Sequence, residues 1–141
     1  MDRGSILRVW LPLLVGLWGL GWLYLYGIGP CDGLRLFGLI LGLAGLAGVI
    51  LARYTLGRSF SIAPKATALV TSGIYSRIRN PIYVFGVIFA AGIFLMLRKP
   101  ALWLLLLVVI PMQIVRARRE ARVLEATFGD AYREYRRRTW F

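Results

Sequence analysis

The sequence predicts an all-α integral membrane protein: a helical bundle of about four transmembrane helices, followed by a cytoplasmic C-terminal amphipathic helical segment. Of its 141 residues, 59% are hydrophobic and 17% are charged, whereas a soluble domain has about 25% charged residues. Uncharged apolar runs alternate with groups of Lys and Arg. Apolar runs bounded by basic residues are typical of membrane-spanning helices, so we treat residues 1–141 as a single membrane domain.

Four uncharged stretches supply the predicted spans, which cover residues 9–28, 36–52, 81–97 and 101–115. The first has twenty residues and, at about 1.5 Å per residue, matches the roughly 30 Å hydrocarbon core of a bilayer. A cleaved signal peptide is the alternative for this stretch, but it exceeds the usual length and no small-residue cleavage site follows it. The last two stretches are short, which favours a tilted or kinked helical hairpin.

The second span contains a GxxxG pair, Gly38 and Gly42, and its small-residue face is extended by Ala44 and Gly48 at helical spacing. Small residues allow two membrane helices to approach each other closely. We favour packing of this face within the same bundle. The alternative is a homodimer through the Gly38/Gly42 face.

The distribution of basic residues predicts the orientation of the chain. Residues 1–8, 53–79 and 116–138 hold 15 of the 18 Lys and Arg residues, and the positive-inside rule places such segments in the cytoplasm. With four spans, both termini of this multi-pass protein are expected in the cytoplasm. The expected location is a bacterial inner membrane. The long connection, residues 53–80, and the C-terminal helices, residues 116–138, lie on the same face of the membrane.

Composition excludes several kinds of site. The chain contains no histidine, which rules out a His general base, a Ser-His-Asp triad and any His metal ligand. Its single cysteine, Cys31, cannot form an intrachain disulfide, a CxxC redox pair or a thiolate metal site. We therefore expect no metal site, and an enzyme of this composition must obtain its reactivity from a cofactor or from its substrate.

Two polar blocks lie on the predicted cytoplasmic face. The first is Leu69-Val70-Thr71-Ser72-Gly73-Ile74-Tyr75-Ser76-Arg77-Ile78-Arg79-Asn80-Pro81-Ile82-Tyr83. The second is Arg119-Glu120-Ala121-Arg122-Val123-Leu124, followed by Phe128-Gly129-Asp130 and Tyr132. Within it, Gly129 is expected to end one helix and Asp130 to cap the next.

Together and in this order, the two blocks resemble the signature blocks of the isoprenylcysteine carboxyl methyltransferase and phospholipid methyltransferase family of integral membrane enzymes. The resemblance covers roughly residues 53–141. The chain departs from the family pattern at three positions: Asn80 replaces the usual histidine, Phe85 stands where a glycine is usual, and Ala121 replaces a second glutamate.

The resemblance implies that the cofactor is S-adenosylmethionine and that the reaction is methyl transfer. This chemistry suits a chain without histidine, because the sulfonium already activates the methyl group and the protein mainly aligns the reactants. The resemblance also implies that the cofactor pocket is formed by Gly73, Tyr75, Arg79, Asn80, Pro81, Tyr83 and Glu120.

Two of these side chains are the candidates for a catalytic role, Arg79 and Glu120. Arg79, beside the N-terminus of the third span, offers a guanidinium and backbone N–H groups to the carboxylate of the cofactor. Glu120 offers a carboxylate to the ribose hydroxyls or the ammonium group. Simpler roles are the alternatives: Arg79 as an anchor to lipid phosphate, Glu120 as a helical partner of Arg116, and Tyr83 as an interfacial aromatic residue.

The expected methyl acceptor is a lipophilic small molecule or lipid that enters from the bilayer, such as a prenylcysteine-like carboxylate. A phospholipid amine is the alternative, but an amine must lose a proton and Glu120 is the only obvious base. Membrane lipids are the other expected partners, and nucleic acid is not expected. A small transporter is disfavoured because the apolar windows contain no acidic residue. A noncatalytic scaffold related to the family is a further alternative.

Overall fold

The structure is a computed structural model of the chain and describes residues 3–27, 30–56 and 69–141. Residues 57–68, part of the long connection 53–80 in which the cofactor loop is predicted, lie outside the described residues. The helices are α1 (Arg3–Tyr26), α2 (Gly33–Leu56), α3 (Pro81–Leu97), α4 (Trp103–Phe128) and α5 (Asp130–Arg138), with short 3-10 turns at Gly73–Ser76 and Pro100–Leu102. Within the described ranges the fold is all helical, apart from an isolated parallel bridge between Ile78 and Trp140.

Two helical stretches are long and apolar enough to cross a membrane: Gly33–Leu56, and Pro100–Phe128, which includes α4. The apolar stretches Leu13–Tyr26 and Pro81–Leu97 are shorter. These helices agree with the predicted membrane bundle, and crossing by all four of them stays a prediction.

The helices α2 and α3 pack against each other as an antiparallel pair along a row of glycines. A Cβ atom added to Gly45 or Gly92 would overlap backbone atoms of the other helix, so glycine is what allows the helices to come this close. The contacts pair Phe85 with Gly48, Phe89 with Gly45, Gly92 with Gly42 and Met96 with Gly38. The ring of Phe85 thus occupies space that the absent side chain of Gly48 leaves, which explains how the bundle accommodates phenylalanine at this position.

Close contacts at glycines also join α2 to α1. Leu20 of α1 lies against Gly42, and Leu46 of α2 lies against Gly16. The buried core cluster consists of Leu20, Leu46 and Met96. Gly38 and Gly42 are buried within the chain itself, as the favoured interpretation of their spacing requires. A homodimer through this face would have to displace α3 and stays a prediction.

One continuous helix, α4, includes the predicted span from residue 103 onward and the first part of the segment 116–138. The predicted break at Gly129 is confirmed, since Gly129 has a φ of 51° and separates α4 from α5. The predicted cap is wrong: Asp130 is the first residue of α5, and its carboxylate accepts a hydrogen bond from Arg133 at 3.0 Å. An acidic side chain in the first turn still stabilises a helix through the helix dipole.

At one end of the bundle, the α1–α2 turn is tied to the α3–α4 turn. The Asp32 carboxylate forms an ion pair with Arg98 and accepts the backbone N–H of Arg35 at 3.2 Å. Arg35 is only 2% exposed, and its guanidinium donates to the carbonyl of Leu23 at 2.9 Å. The two polar motif blocks lie at the opposite end, where α2 ends and α3 begins.

Candidate functional site

The first motif block enters the site through a single 3-10 turn, Gly73–Ser76. Gly73 has a φ of +58°, in the left-handed region, and a Cβ atom on it would lie 3.0 Å from the methyl group of Thr55 at the end of α2. The positive φ therefore favours glycine, and a larger residue would also press against Thr55. The Ser76 hydroxyl closes the turn by donating to the Gly73 carbonyl at 2.7 Å. We call residues 69–80 the motif segment.

The centre of the site is the carboxylate of Glu120 on α4. One of its oxygens, Oε1, accepts a hydrogen bond from the Tyr83 hydroxyl at 2.5 Å and one from Arg116 Nε at 3.3 Å. The Arg116 guanidinium also lies over the Tyr83 ring, 5.8 Å from its centroid. Glu120 is thus more than the helical partner of Arg116, because its bond to Tyr83 joins α4 to α3. Its side chain is 28% exposed and is open to a ligand.

Tyr75 lies between Glu120 and the C-terminal helix. The residue is 7% exposed, and burial is the main cause that raises the pKa of its phenol, with smaller contributions from Tyr135 and Glu120. Its phenol therefore stays protonated and neutral near the carboxylate. The backbone carbonyl of Tyr75 accepts a hydrogen bond from the Tyr135 hydroxyl at 2.7 Å.

Backbone N–H groups at Arg79, beside the start of α3, are predicted to bind the cofactor carboxylate, but in the structure the N–H groups of Arg79 and Asn80 have other partners. They donate to the carbonyls of Trp140 and Phe141, each at 3.0 Å. Pro81 begins α3, as predicted, and has no N–H to offer. These two N–H groups are therefore already hydrogen-bonded, and binding of an anion by the Arg79 guanidinium stays a prediction.

The Arg79 guanidinium lies on the α5 side of the motif segment. Burial raises the pKa of Tyr132 and raises that of Tyr135 to about 12, and the positive charge of Arg79 opposes both effects. Glu120 interacts instead with Tyr83 and Arg116. The structure brings Tyr75, Tyr83 and Glu120 together, while joint binding of one ligand by Arg79 and Glu120 stays a prediction.

A family model described as phospholipid methyltransferase matches residues 34–131, which is more than half of the chain. The chain belongs to the phospholipid methyltransferase family. This is the family of integral membrane methyltransferases that includes the isoprenylcysteine carboxyl methyltransferases, so the resemblance of the two motif blocks is confirmed. No curated protein matches the chain closely enough to count as a relative.

Three polar side chains around the site are absent from the predicted set of site residues: Arg116, Tyr132 and Tyr135. Arg116 lies four residues before Glu120, the spacing at which helical side chains meet. The two tyrosines lie three residues apart and are 3% and 9% exposed, so one face of α5 is buried on the motif segment. Sequence spacing identifies that face but does not identify the carbonyl of Tyr75 as the acceptor, because the two residues are 60 positions apart.

The available groups fit the polar ends of S-adenosylmethionine. Its ammonium and ribose hydroxyls are donors that suit a carboxylate such as Glu120, and its carboxylate suits a guanidinium such as Arg79. Among the described residues, no group of three or more His, Cys, Asp or Glu side chains is arranged to hold a metal ion. The residues present thus fit S-adenosylmethionine, which methyltransferases of this family generally use, and its binding by this chain stays a prediction.

Proposed function

We propose that this protein transfers the methyl group of S-adenosylmethionine to a lipophilic acceptor at the cytoplasmic face of the membrane. The observation that carries the proposal is the Glu120 carboxylate, held by Tyr83 and Arg116 where the motif segment, α3 and α4 meet. Membership of a methyltransferase family supplies the reaction class. When bound, the cofactor supplies a methyl group already activated on a sulfonium, so a chain without histidine suffices.

In the proposed complex, Glu120 accepts hydrogen bonds from the ribose hydroxyls or the ammonium group, and the Arg79 guanidinium binds the carboxylate. Tyr83 orients Glu120, and the buried Tyr75 forms an apolar wall with a neutral hydroxyl. Gly73 gives the motif segment its turn, while Asn80 and Pro81 start α3 beside the ligand. These residues bind and align the cofactor, which is the main contribution that methyl transfer requires of a protein.

The proposed orientation places the Glu120 end of the bundle in the cytoplasm, with α1 to α4 crossing the bilayer. It is supported by charge: Arg53 and the many arginines after residue 115 lie toward this end, whereas the other end has Arg35, Arg98 and Lys99. At that other end, Arg98 is paired with Asp32. Membrane lipids then surround the exposed apolar side chains of α4.

The favoured acceptor is already deprotonated, such as a prenylcysteine-like carboxylate or a related small lipid acid. Tyr83 and Arg116 donate to the same oxygen of Glu120, and donors to a carboxylate weaken it as a base. An amine acceptor would need such a base. A phospholipid amine is nevertheless the second candidate, because the matching family model is described by phospholipid methylation.

Calorimetry with S-adenosylhomocysteine tests the cofactor site in detergent-purified protein. We expect the wild type to bind, and Glu120→Gln to bind roughly 10- to 100-fold more weakly, because hydrogen bonds to a charged group are lost. Tyr83→Phe should weaken binding roughly 3- to 10-fold, since it releases the carboxylate from its hydrogen-bonded position. Asp32→Asn is the control, because it removes a carboxylate at the opposite end of the bundle.

Three outcomes separate the alternatives. Unchanged binding by Glu120→Gln combined with Arg79→Ala would contradict the proposed pocket. No binding by a folded wild type would favour a noncatalytic scaffold. Binding by the wild type and by Asp32→Asn, with the expected weaker binding by Glu120→Gln and Tyr83→Phe, would support the cofactor site independently of any acceptor.

The acceptor requires a separate assay with labelled S-adenosylmethionine. The protein is incubated with a farnesylated cysteine analogue or with phosphatidylethanolamine vesicles, and the labelled product is treated with alkali. A methyl ester releases labelled methanol, whereas an N-methyl amine is stable. Alkali-labile label on the cysteine analogue supports the carboxylate acceptor, and stable label on the lipid supports the amine.

A further inference from the structure

The last residues of the chain, 130–141, are fastened to the motif segment at two separate places. We call these residues the C-terminal clasp. At the first place, the Tyr135 hydroxyl donates to the Tyr75 carbonyl at 2.7 Å in a buried position. The second place is a parallel backbone bridge, in which Trp140 N–H donates to the Arg77 carbonyl at 2.8 Å, and the N–H groups of Arg79 and Asn80 donate to the carbonyls of Trp140 and Phe141.

The motif segment has little regular structure of its own. It contains a single 3-10 turn, Gly73–Ser76, and isolated turns of this kind are short and poorly bonded. Backbone polar groups need partners, and the clasp supplies them for the carbonyls of Tyr75 and Arg77 and for the N–H groups of Arg79 and Asn80. The N–H groups of Tyr75, Arg77 and Ile78 bond within the segment itself. The conformation of residues 77–80 therefore depends on the clasp, while the 3-10 turn holds the residues before them.

That conformation decides where Tyr75 lies. Tyr75 is close enough to Glu120 for the carboxylate to affect its pKa, while its carbonyl is held from the other side by Tyr135. Movement of this carbonyl would shift the Tyr75 ring relative to Glu120. Tyr135 and the residues after it lie beyond the region matched by the family model, which ends at residue 131.

We propose that Tyr135 and the bridge at Trp140 and Phe141 are positioning elements of the cofactor site: they hold the backbone from Tyr75 to Asn80 in the shape that binds the cofactor, without touching it. This inference rests on the proposed function. It assigns a role to a part of the chain outside the matched region. Burial keeps the Tyr135 phenol protonated at neutral pH, since its pKa is raised to about 12, so the clasp stays bonded over the physiological range.

The opposite role for the tail is also testable. The bridge occupies the N–H groups of Arg79 and Asn80, which an anionic ligand would otherwise meet at the start of α3. If the tail competed with the cofactor, opening the bridge would tighten binding. If the tail positions the segment, opening the bridge weakens binding.

The experiment opens the bridge at a single atom. Trp140→Pro removes the N–H that donates to Arg77, whereas Trp140→Ala removes only a side chain that is 65% exposed and keeps the backbone donor. We expect Trp140→Pro and Tyr135→Phe to weaken S-adenosylhomocysteine binding roughly 3- to 10-fold, with Trp140→Ala close to the wild type. Mass spectrometry should detect faster amide hydrogen exchange at Arg79 and Asn80 in Trp140→Pro, but not in Trp140→Ala.

A kinetic readout separates positioning from general destabilisation. The variants should raise the KM for S-adenosylmethionine and leave the KM for the acceptor and the melting temperature nearly unchanged. Faster exchange with unchanged affinity would overturn the positioning role, and tighter binding would show that the tail competes with the ligand. A folded wild type that binds no S-adenosylhomocysteine would contradict the proposed function instead, while the exchange data would still report on the clasp.

Discussion

The helix α3 contacts α2 and α4 in very different ways. Toward α2, glycines bring the two backbones into contact along the length of both helices. On α4, by contrast, the apolar side chains are mostly exposed, for example Leu107 at 70% and Met112 at 66%. In a bilayer, lipid tails solvate such side chains as well as protein does, so helices need close packing only where they associate.

The difference shows how the site is built. The tightly packed pair of α2 and α3 supplies a rigid support for the motif segment, which is anchored at Thr55 and continues into Pro81. By contrast, α4 is attached to α3 by specific contacts near its ends: the Tyr83–Glu120 hydrogen bond, and the edge-to-face pair of Phe94 and Trp103 with ring centroids 6.0 Å apart. The candidate site therefore lies where a closely packed pair of helices meets a helix that is held by one hydrogen bond and one aromatic contact.

The largest expected effect tests the tight side of this comparison. In Gly92→Ala, the new methyl group overlaps backbone atoms of Gly42, which cannot rotate away, so the helices must separate at a cost of about 3 kcal/mol, the upper end for overpacking. Gly86→Ala on the same helix is the control, because nothing lies within 4 Å of its added Cβ. It should be neutral or stabilising by up to about 1 kcal/mol.

Unfolding in mixed detergent micelles measures both glycine variants. A similar loss of stability in Gly86→Ala and Gly92→Ala would mean that the α2–α3 contact is not the tight interface described above.

A smaller effect comes from a matched pair of methionines. Met96 is 0% exposed between α2 and α3, whereas Met112 on α4 is 66% exposed. We expect Met96→Ala to reduce the free energy of unfolding by about 2 kcal/mol, the low end for a buried methionine. In a membrane, separated helices expose methionine to lipid rather than to water, so the substitution loses packing but little hydrophobic free energy. Met112→Ala should change it by less than about 0.5 kcal/mol.

The same unfolding assay compares the two methionines. A large loss in Met112→Ala would indicate that α4 is packed against protein, such as a second copy, rather than surrounded by lipid.

The smallest effect is expected at the end of the bundle opposite the site. The hydrogen bond from Arg98 holds the pKa of Asp32 below its ordinary 3.8. Because the pKa is lower in the folded state, the pair stabilises the fold above pH 3.8 and loses this contribution as the pH falls through the folded value. Exposed ion pairs contribute little, so Asp32→Asn should lower the melting temperature only slightly at pH 7.

Melting curves between pH 7 and pH 3 test this prediction. The difference between the wild type and Asp32→Asn should shrink as the pH falls. A difference that stays constant would mean that the contribution of Asp32 does not depend on its charge.

Much of the fold follows from local patterns. Pro81 and Gly129 mark helix boundaries because their backbone properties are local, and the apolar stretches predict helices because their length and composition are local. The predicted cap at Asp130 is wrong, since a neighbouring glycine with a positive φ takes that place. The sequence pattern divides the chain at residue 116, where apolar residues give way to basic ones, but α4 continues through this point. A change in polarity does not by itself end a helix.

The site divides in the same way. Glu120, Tyr83 and the motif segment could be predicted because their residue types and spacing match a family pattern. The hydrogen bond from Tyr135 to Tyr75, and the use of the Arg79 and Asn80 N–H groups by the tail, could not be predicted, because they join residues about 60 positions apart through backbone atoms that carry no sequence signal.

The sequence alone determined that this chain is helical and membrane-type, that it lacks histidine chemistry, and that its polar residues gather in two blocks. Composition and spacing decide these properties, since each depends on residues close together along the chain. The tertiary structure decided which groups in those blocks remain available to a ligand. Docking of the clasp uses the backbone N–H groups of Arg79 and Asn80, and it leaves the carboxylate of Glu120 and the guanidinium of Arg79 as the groups to test.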